Sequence, residues 1–273
     1  MIIRKLSDNK PKILIFQGSP RRKNSCANQV PKTQIIAEYL LDKWSPFINL
    51  ELIDLSIGKV NVQPCKGCVS TSNGMHCHWK CSCYSKESKI PDLMYEADIY
   101  EKLEQCDGFI IITPIHWYSV STQVKAMFDR LVCANQTITK EQALEIFGQG
   151  NIKNSEITGQ AELSGQYKDM LKNHLEGKWA GFYAHGDDGA NDYDGNQPET
   201  GDSQWDVKNS VMPLVYQCRY SGIKVPDDLI ESFYTNKGIE YYQANLDVER
   251  NREFFNRADN LIEKMVDYIN NQS

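Results

Sequence analysis

Three stretches of this sequence gather side chains suited to holding a ligand. The first is Gln17-Gly18-Ser19-Pro20-Arg21-Arg22-Lys23-Asn24-Ser25-Cys26-Ala27, directly behind the apolar run at 12–16. Gly18 permits a tight turn, Ser19 and Ser25 bring hydroxyls, and Arg21 and Arg22 bring guanidinium forks matched to phosphate oxygens. A helical pattern at 26–44 would turn its positive end toward the same loop. Pro31 cannot lie deep in that helix, so the helix starts or kinks there. A phosphate cradle and a solvated basic turn both fit these residues. No GxxxxGK followed by Ser or Thr occurs, and no GxGxxG follows the strand, so the two common nucleotide loops are excluded.

The second stretch is Pro114-Ile115-His116-Trp117-Tyr118-Ser119, between a strand-like run and a helical pattern. A flat conjugated ring needs an apolar or aromatic surface and a few polar groups along one edge. Trp117 and Tyr118 offer the surface, and backbone N–H groups reach the edge. Core or interface packing is their other reading. Ser119 also suits a helix N-cap. His116 either senses a nearby charge or makes an ordinary hydrogen bond, and no side chain is assigned as a catalytic acid or base. The third stretch, His185-Gly186-Asp187-Asp188-Gly189, opens an acidic segment. It is not a calcium loop: with Gly195 at the sixth position, Ala190 and Gly201 stand where carboxylates are required.

A fourth group raises metal chemistry. Cys65, Cys68, Cys77, Cys81 and Cys83 crowd together with His76 and His78. Zinc would take four N or S ligands, and a [4Fe–4S] cluster four thiolates. Free thiols are the reading adopted, with zinc and iron–sulfur kept as alternatives.

These loops require elements to position them. Strand candidates lie at 12–16, 50–55, 108–113 and 178–184, with a fifth at 223–225. Phe109-Ile110-Ile111-Ile112 reads as a strand buried on both faces, as in a parallel sheet. Helical spacing recurs in Ile35, Ile36, Tyr39 and Leu40, in Tyr95, Ile99 and Leu103, at 120–131, and at 248–269. Alternating strands and helices predict an α/β fold: a flavodoxin-like doubly wound five-stranded parallel sheet of order 2-1-3-4-5, helices on both faces, ligands at the strands' carboxyl ends. The expected organisation is one domain over 1–273, with a Cys-rich insertion at 56–91 and a polar one at 135–176 that carries some helical pattern near 161–171.

Bulk properties narrow the partners. The 273 residues are 41% hydrophobic and 24% charged, with a net charge of −6. That balance speaks against nucleic-acid binding and for small-molecule partners. No apolar run approaches the ~18 residues of a membrane span. Residues 1–8 lack a signal-peptide core, and nine cysteines form an odd set, so a reduced, cytoplasmic setting is expected and the sequons at Asn135 and Asn271 carry no weight.

The motifs together also carry a resemblance. Ile13-Leu14-Ile15-Phe16-Gln17-Gly18-Ser19-Pro20-Arg21 resembles the opening of the NADPH-dependent FMN reductase family, whose fold is flavodoxin-like. Residues 106–130 resemble its second flavin loop and following helix; the likeness spans 12–134 and returns at 177–187. It implies FMN as cofactor and NADPH or NADH as co-substrate, with hydride passing through FMN to a flavin, quinone or other small electrophile. It further implies flavin contacts from Ser19, Arg21, Ser25, Cys26 and Ala27, from Pro114, Ile115, His116, Trp117, Tyr118 and Ser119, and from His185, Gly186 and Asp187. Cys26-Ala27 stand where the family often has a polar pair. Many members keep a C-x-G-C element without metal, as in Cys65-Lys66-Gly67-Cys68. Related iron–sulfur flavoproteins carry a tighter cysteine motif than this one. An electron-transfer flavoprotein serving a protein partner is the alternative function, and a thiol or zinc module on the same scaffold a third. A homodimer is implied by the resemblance alone.

Overall fold

The computed structural model describes residues 10–25, 28–60, 62–67, 77–81, 83–84, 97–139, 141–142, 145, 168–186, 207–234 and 252–271. Its centre is a parallel sheet built from the apolar runs: β1 (Lys12–Gln17), β2 (Asn49–Asp54), and then, past the short β3 (His78–Trp79), β4 (Gly108–His116). β5 (Ser119–Val120) folds back antiparallel on β4, and β6 (Ile138–Thr139) pairs with β3. β7 (Trp179–Gly186) and β8 (Ile230–Tyr234) complete the main sheet, in the order β2-β1-β4-β7-β8. Counting only its long parallel strands, this is the expected 2-1-3-4-5.

Alternation within each strand feeds two cores. Ile13 and Ile15 of β1, with Ile110 and Ile112 of β4, face α1 (Lys32–Trp44) and the C-terminal helix α5 (Arg252–Asn270). Leu14, Phe16, Phe109 and Ile111 face the other way, toward α2 (Ile99–Gln105), α3 (Thr122–Arg130) and α4 (Met212–Tyr220). Both faces of the sheet are therefore covered, as the unbroken apolar runs require. On the first face Asp259 of α5 is 9% exposed and accepts from Tyr39 Oη at 2.7 Å, Trp44 Nε1 at 2.8 Å and Lys43 Nζ at 2.5 Å. One carboxylate thus ties the first helix to the last.

One expectation needs correction. The fifth strand is residues 230–234, not 223–225. Ile223 and Val225 are buried, yet Lys224 forms only an isolated bridge with Trp179. Glu231 and Ser232 interrupt the apolar run of β8, because its outer edge has no strand to cover it in the main sheet. Helix α1 begins at Lys32 with Pro31 as its cap, where the fixed proline φ favours a start. The pattern at 161–171 and the acidic segment reaching Gly195 lie outside the described residues, apart from 168–171. Among the described residues no helix is long and apolar enough to cross a membrane.

Candidate functional site

The sheet brings the three loops level. Gln17 pairs in register with Ile112, and Pro114 pairs with His185, so the carboxyl ends of β1, β4 and β7 stand side by side.

The first loop is organised by a residue that sequence inspection passed over. Gln17 is 1% exposed, and its Oε1 accepts from Thr33 Oγ1 at 2.7 Å and from the Ser19 N–H. Its Nε2 donates to Asp54 Oδ1 at 2.9 Å. A polar side chain ending an apolar strand was the available signal, since such a group is buried only with partners. Ser19 Oγ accepts from Arg21 N at 3.2 Å and Ser25 Oγ from Arg22 N at 3.0 Å. Each hydroxyl shapes the loop while keeping a hydrogen to donate. Arg22 Nε is buried without a hydrogen-bond partner among the described residues.

Gly18 is needed for close approach rather than for a turn. A Cβ there would lie 2.5 Å from Val124 Cγ2 and 2.9 Å from the Ile112 carbonyl. Gly18 N instead donates to Ile112 O at 2.8 Å, and Gly18 O accepts from Ser121 Oγ at 2.5 Å. Ser121 Oγ also accepts from Val124 N, so Ser121, and not Ser119, caps α3. The first loop is thereby pinned to the helix behind the second.

The second loop is a hairpin. His116 pairs with Ser119, leaving Trp117 and Tyr118 as the two turn residues, at φ of 51° and 64°. Two successive left-handed residues are what a two-residue hairpin demands, and for bulky aromatics they cost about 1 kcal/mol or more each. Trp117 is 93% exposed and Tyr118 57%. The core-packing alternative for this pair is ruled out: strain and exposure together hold two aromatic faces open at the strand ends.

The third loop adds a buried imidazole. His185 is 7% exposed, and its Nε2 has no hydrogen-bond partner among the described residues. Burial first, then the charges of Lys32, His116 and Arg21, push its pKa down to about 3. His116 is also lowered, by desolvation and then by Arg21. Arg21 in the first loop therefore disfavours positive charge on both imidazoles, and Lys32 at the start of α1 does so on His185. Gly186 wedges between Val207 and Ile115, where a Cβ would meet Val207 Cγ2 at 3.1 Å. Of the predicted contacts, Ser19, Arg21, Ser25, Pro114, Ile115, His116, Trp117, Tyr118, Ser119, His185 and Gly186 lie on these three ends. Cys26, Ala27 and Asp187 fall outside the described residues.

A phosphorylated tricyclic ring fits this rim. Its phosphate would find cations, hydroxyls and an unpartnered guanidinium Nε, and its ring the open aromatics and the unpartnered imidazole. A model of the family matches residues 11–150, just over half of the chain and the part that builds β1, β4 and both of their loops.

The chain belongs to the NADPH-dependent FMN reductase family.

FMN is that family's cofactor and NAD(P)H its electron donor. Over 121 residues the chain is 29% identical to the iron–sulfur flavoprotein of Methanosarcina thermophila, covering 44% of this chain and 52% of that protein. The chain thus spans about half the length of the curated relative it matches. A solved flavone reductase shares the fold at 15% identity, with a TM-score of 0.50 over 95% of this chain and 63% of its own. The general stress protein 14 of Treponema denticola, solved in complex with FMN, is 15% identical, with a TM-score of 0.47 over 95% of this chain and 99% of its own.

Among the cysteines, Cys65, Cys77, Cys81 and Cys83 form no disulfide among the described residues, while Cys68 lies outside them. No group of three or more His, Cys, Asp or Glu side chains is set to hold a metal ion among the described residues.

Proposed function

We propose that this protein binds FMN at the carboxyl ends of β1, β4 and β7 and passes hydride from NADPH or NADH to a small electrophilic acceptor, such as a free flavin or a quinone. One observation supports this most: a cationic rim with an unpartnered buried His185 Nε2 stands beside two aromatic residues held open at the hairpin tip. In this reading Ser19, Arg21 and Ser25, with the Cys26 and Ala27 backbone, hold the phosphate. Pro114, Ile115 and the 116–119 hairpin form the ring's seat. His185, Gly186 and Asp187 close the third side, Gly186 by admitting nothing bulkier between Val207 and Ile115.

The flavin supplies the redox chemistry when bound, so the chain's task is position, charge and exclusion of water. Burial keeps both imidazoles neutral at pH 7, reinforced by Arg21 at each of them and by Lys32 at His185. The reading carries a cytoplasmic setting, no nucleic-acid or membrane partner, and a homodimer whose second copy shields Trp117. The test is spectroscopic and then kinetic. Purified protein is expected to be yellow, or to bind FMN added at micromolar concentration, and to oxidise NADPH or NADH with an artificial quinone. Protein that stays colourless and shows no bound-flavin signal on titration overturns the proposal.

A second reading rests on the likeness to an iron–sulfur flavoprotein. There the chain would carry electrons to a protein partner, and flavin binding with negligible turnover of both nucleotides would support it.

A further inference from the structure

Four thiols gather on the second face of the sheet. Cys77 neighbours Cys133, Cys81 neighbours Cys83, and Cys81 also acts on Cys77 and Cys133. Cys133 follows α3, and the other three come from the Cys-rich insertion, so a separate strand pair (β3 with β6) brings distant segments together. Beside them Arg130 is 1% exposed. Its Nη2 stands 3.4 Å from Cys81 Sγ and 3.4 Å from Tyr100 Oη, its Nη1 donates to Gln63 O at 3.3 Å, and Tyr84 lays its ring over the guanidinium at 4.8 Å. Cys81 is 5% exposed, and Cys83, two residues on, reaches the half-buried boundary.

We propose that Cys81 and Cys83 form a redox-active dithiol, with Arg130 holding Cys81 as the attacking sulfur, and that its substrate is a hydroperoxide small enough to pass the boundary at Cys83. A buried guanidinium favours an anion beside it, and of the two ionisable groups 3.4 Å from its Nη2 a thiol ionises more readily than the Tyr100 phenol. The Cys83 hydrogen bond and then the Arg130 charge lower the Cys81 pKa to about 6 against the opposing cost of burial. Cys218, moved by burial alone, is pushed upward instead, as is Cys106, where burial outweighs the nearby Lys178.

The chemistry balances for hydrogen peroxide; an alkyl hydroperoxide would release its alcohol in place of the first water. The Cys81 thiolate attacks one peroxide oxygen, an S–O bond forms, the O–O bond breaks, and hydroxide leaves with the electron pair. The Cys83 sulfur then attacks the Cys81 sulfenic acid, an S–S bond forms, the S–O bond breaks, and water leaves. The proton that ionised from Cys81 neutralises the hydroxide. Two thiols and one peroxide give one disulfide and two waters.

Trypsin isolates both sulfurs in one peptide, residues 81–86, between Lys80 and Lys86. Hydrogen peroxide added to the full chain should remove two hydrogens from that peptide, and dithiothreitol should restore them. Cys83→Ser should stop the reaction at a sulfenic acid on Cys81, trapped by dimedone. Arg130→Met should slow oxidation of the peptide by about tenfold or more, with Arg130→Lys recovering part of the rate. Should Arg130→Met fail to fold, Cys83→Ser decides alone. The proposal is overturned if peptide 81–86 keeps its hydrogens at peroxide doses that oxidise Cys65, or if dimedone marks a cysteine other than Cys81. Stoichiometric zinc or iron on anaerobically purified protein overturns it equally.

Discussion

The α1–α5 face and the rim at the strand ends treat polar groups in opposite ways. On that face Asp259 is buried and satisfied three times, by Tyr39, Lys43 and Trp44. At the rim His185 Nε2 and Arg22 Nε are buried without partners, and Trp117 and Tyr118 pay backbone strain to stay exposed. A satisfied buried charge contributes to holding two helices together. An unsatisfied one costs free energy that a ligand can recover on binding. The same chain therefore separates stability from recognition in space, and that separation can be tested.

The largest effect should come from acid acting on the rim. The native pKa of His185 near 3 lies below the ordinary value of about 6.5. Between those two values the unfolded chain binds more protons, so this contribution to stability is present above about pH 6.5 and is lost as pH falls toward 3. The shift corresponds to roughly 5 kcal/mol at most. Urea unfolding of the flavin-free protein at pH 7 and pH 5 should show the loss, and His185→Gln should flatten it. A pH-independent midpoint would remove His185 from the comparison.

Asp259→Ala should come next, lowering stability by about 2–4 kcal/mol, since it strands three donors, one of them on a half-exposed lysine. Equilibrium unfolding measures this, and FMN affinity should hold within about twofold if the two regions are separate. The reverse asymmetry is expected at the hairpin tip. Trp117→Ala should weaken FMN about tenfold in a fluorescence titration while leaving the unfolding midpoint unchanged. Equal affinity would take Trp117 out of the ring's seat. The smallest change, Ser121→Ala, sharpens the boundary because Ser121 serves both regions. Losing the α3 cap should cost about 1 kcal/mol, and loosening Gly18 should weaken FMN by a fewfold.

Much of the fold was readable before any coordinates. The runs at 12–16, 108–113 and 178–184 are strands whose burial on both faces keeps them almost wholly apolar, while 50–55, at the sheet's edge, admits Glu51 and Asp54. The last strand was misplaced because Glu231 and Ser232 break its apolar run, and Ile223 and Val225 are buried without joining a ladder. Helix α4 went unread, since Pro213 in its first turn and a short, weakly patterned run gave little periodic signal. At the site the loops were found, but Gln17 and Ser121 were missed, because each acts through a partner far along the chain.

The sequence by itself determined the sheet's parallel class, its two covered faces and the three loops, because hydrophobic period and strand-end composition are local properties. Only the tertiary structure decided that Gly18 must admit Val124, that Asp259 closes the first helix onto the last, and that Cys133 meets Cys77. Those are contacts between residues tens to hundreds of positions apart, and such a contact exists only once crossover connections have set the strands side by side.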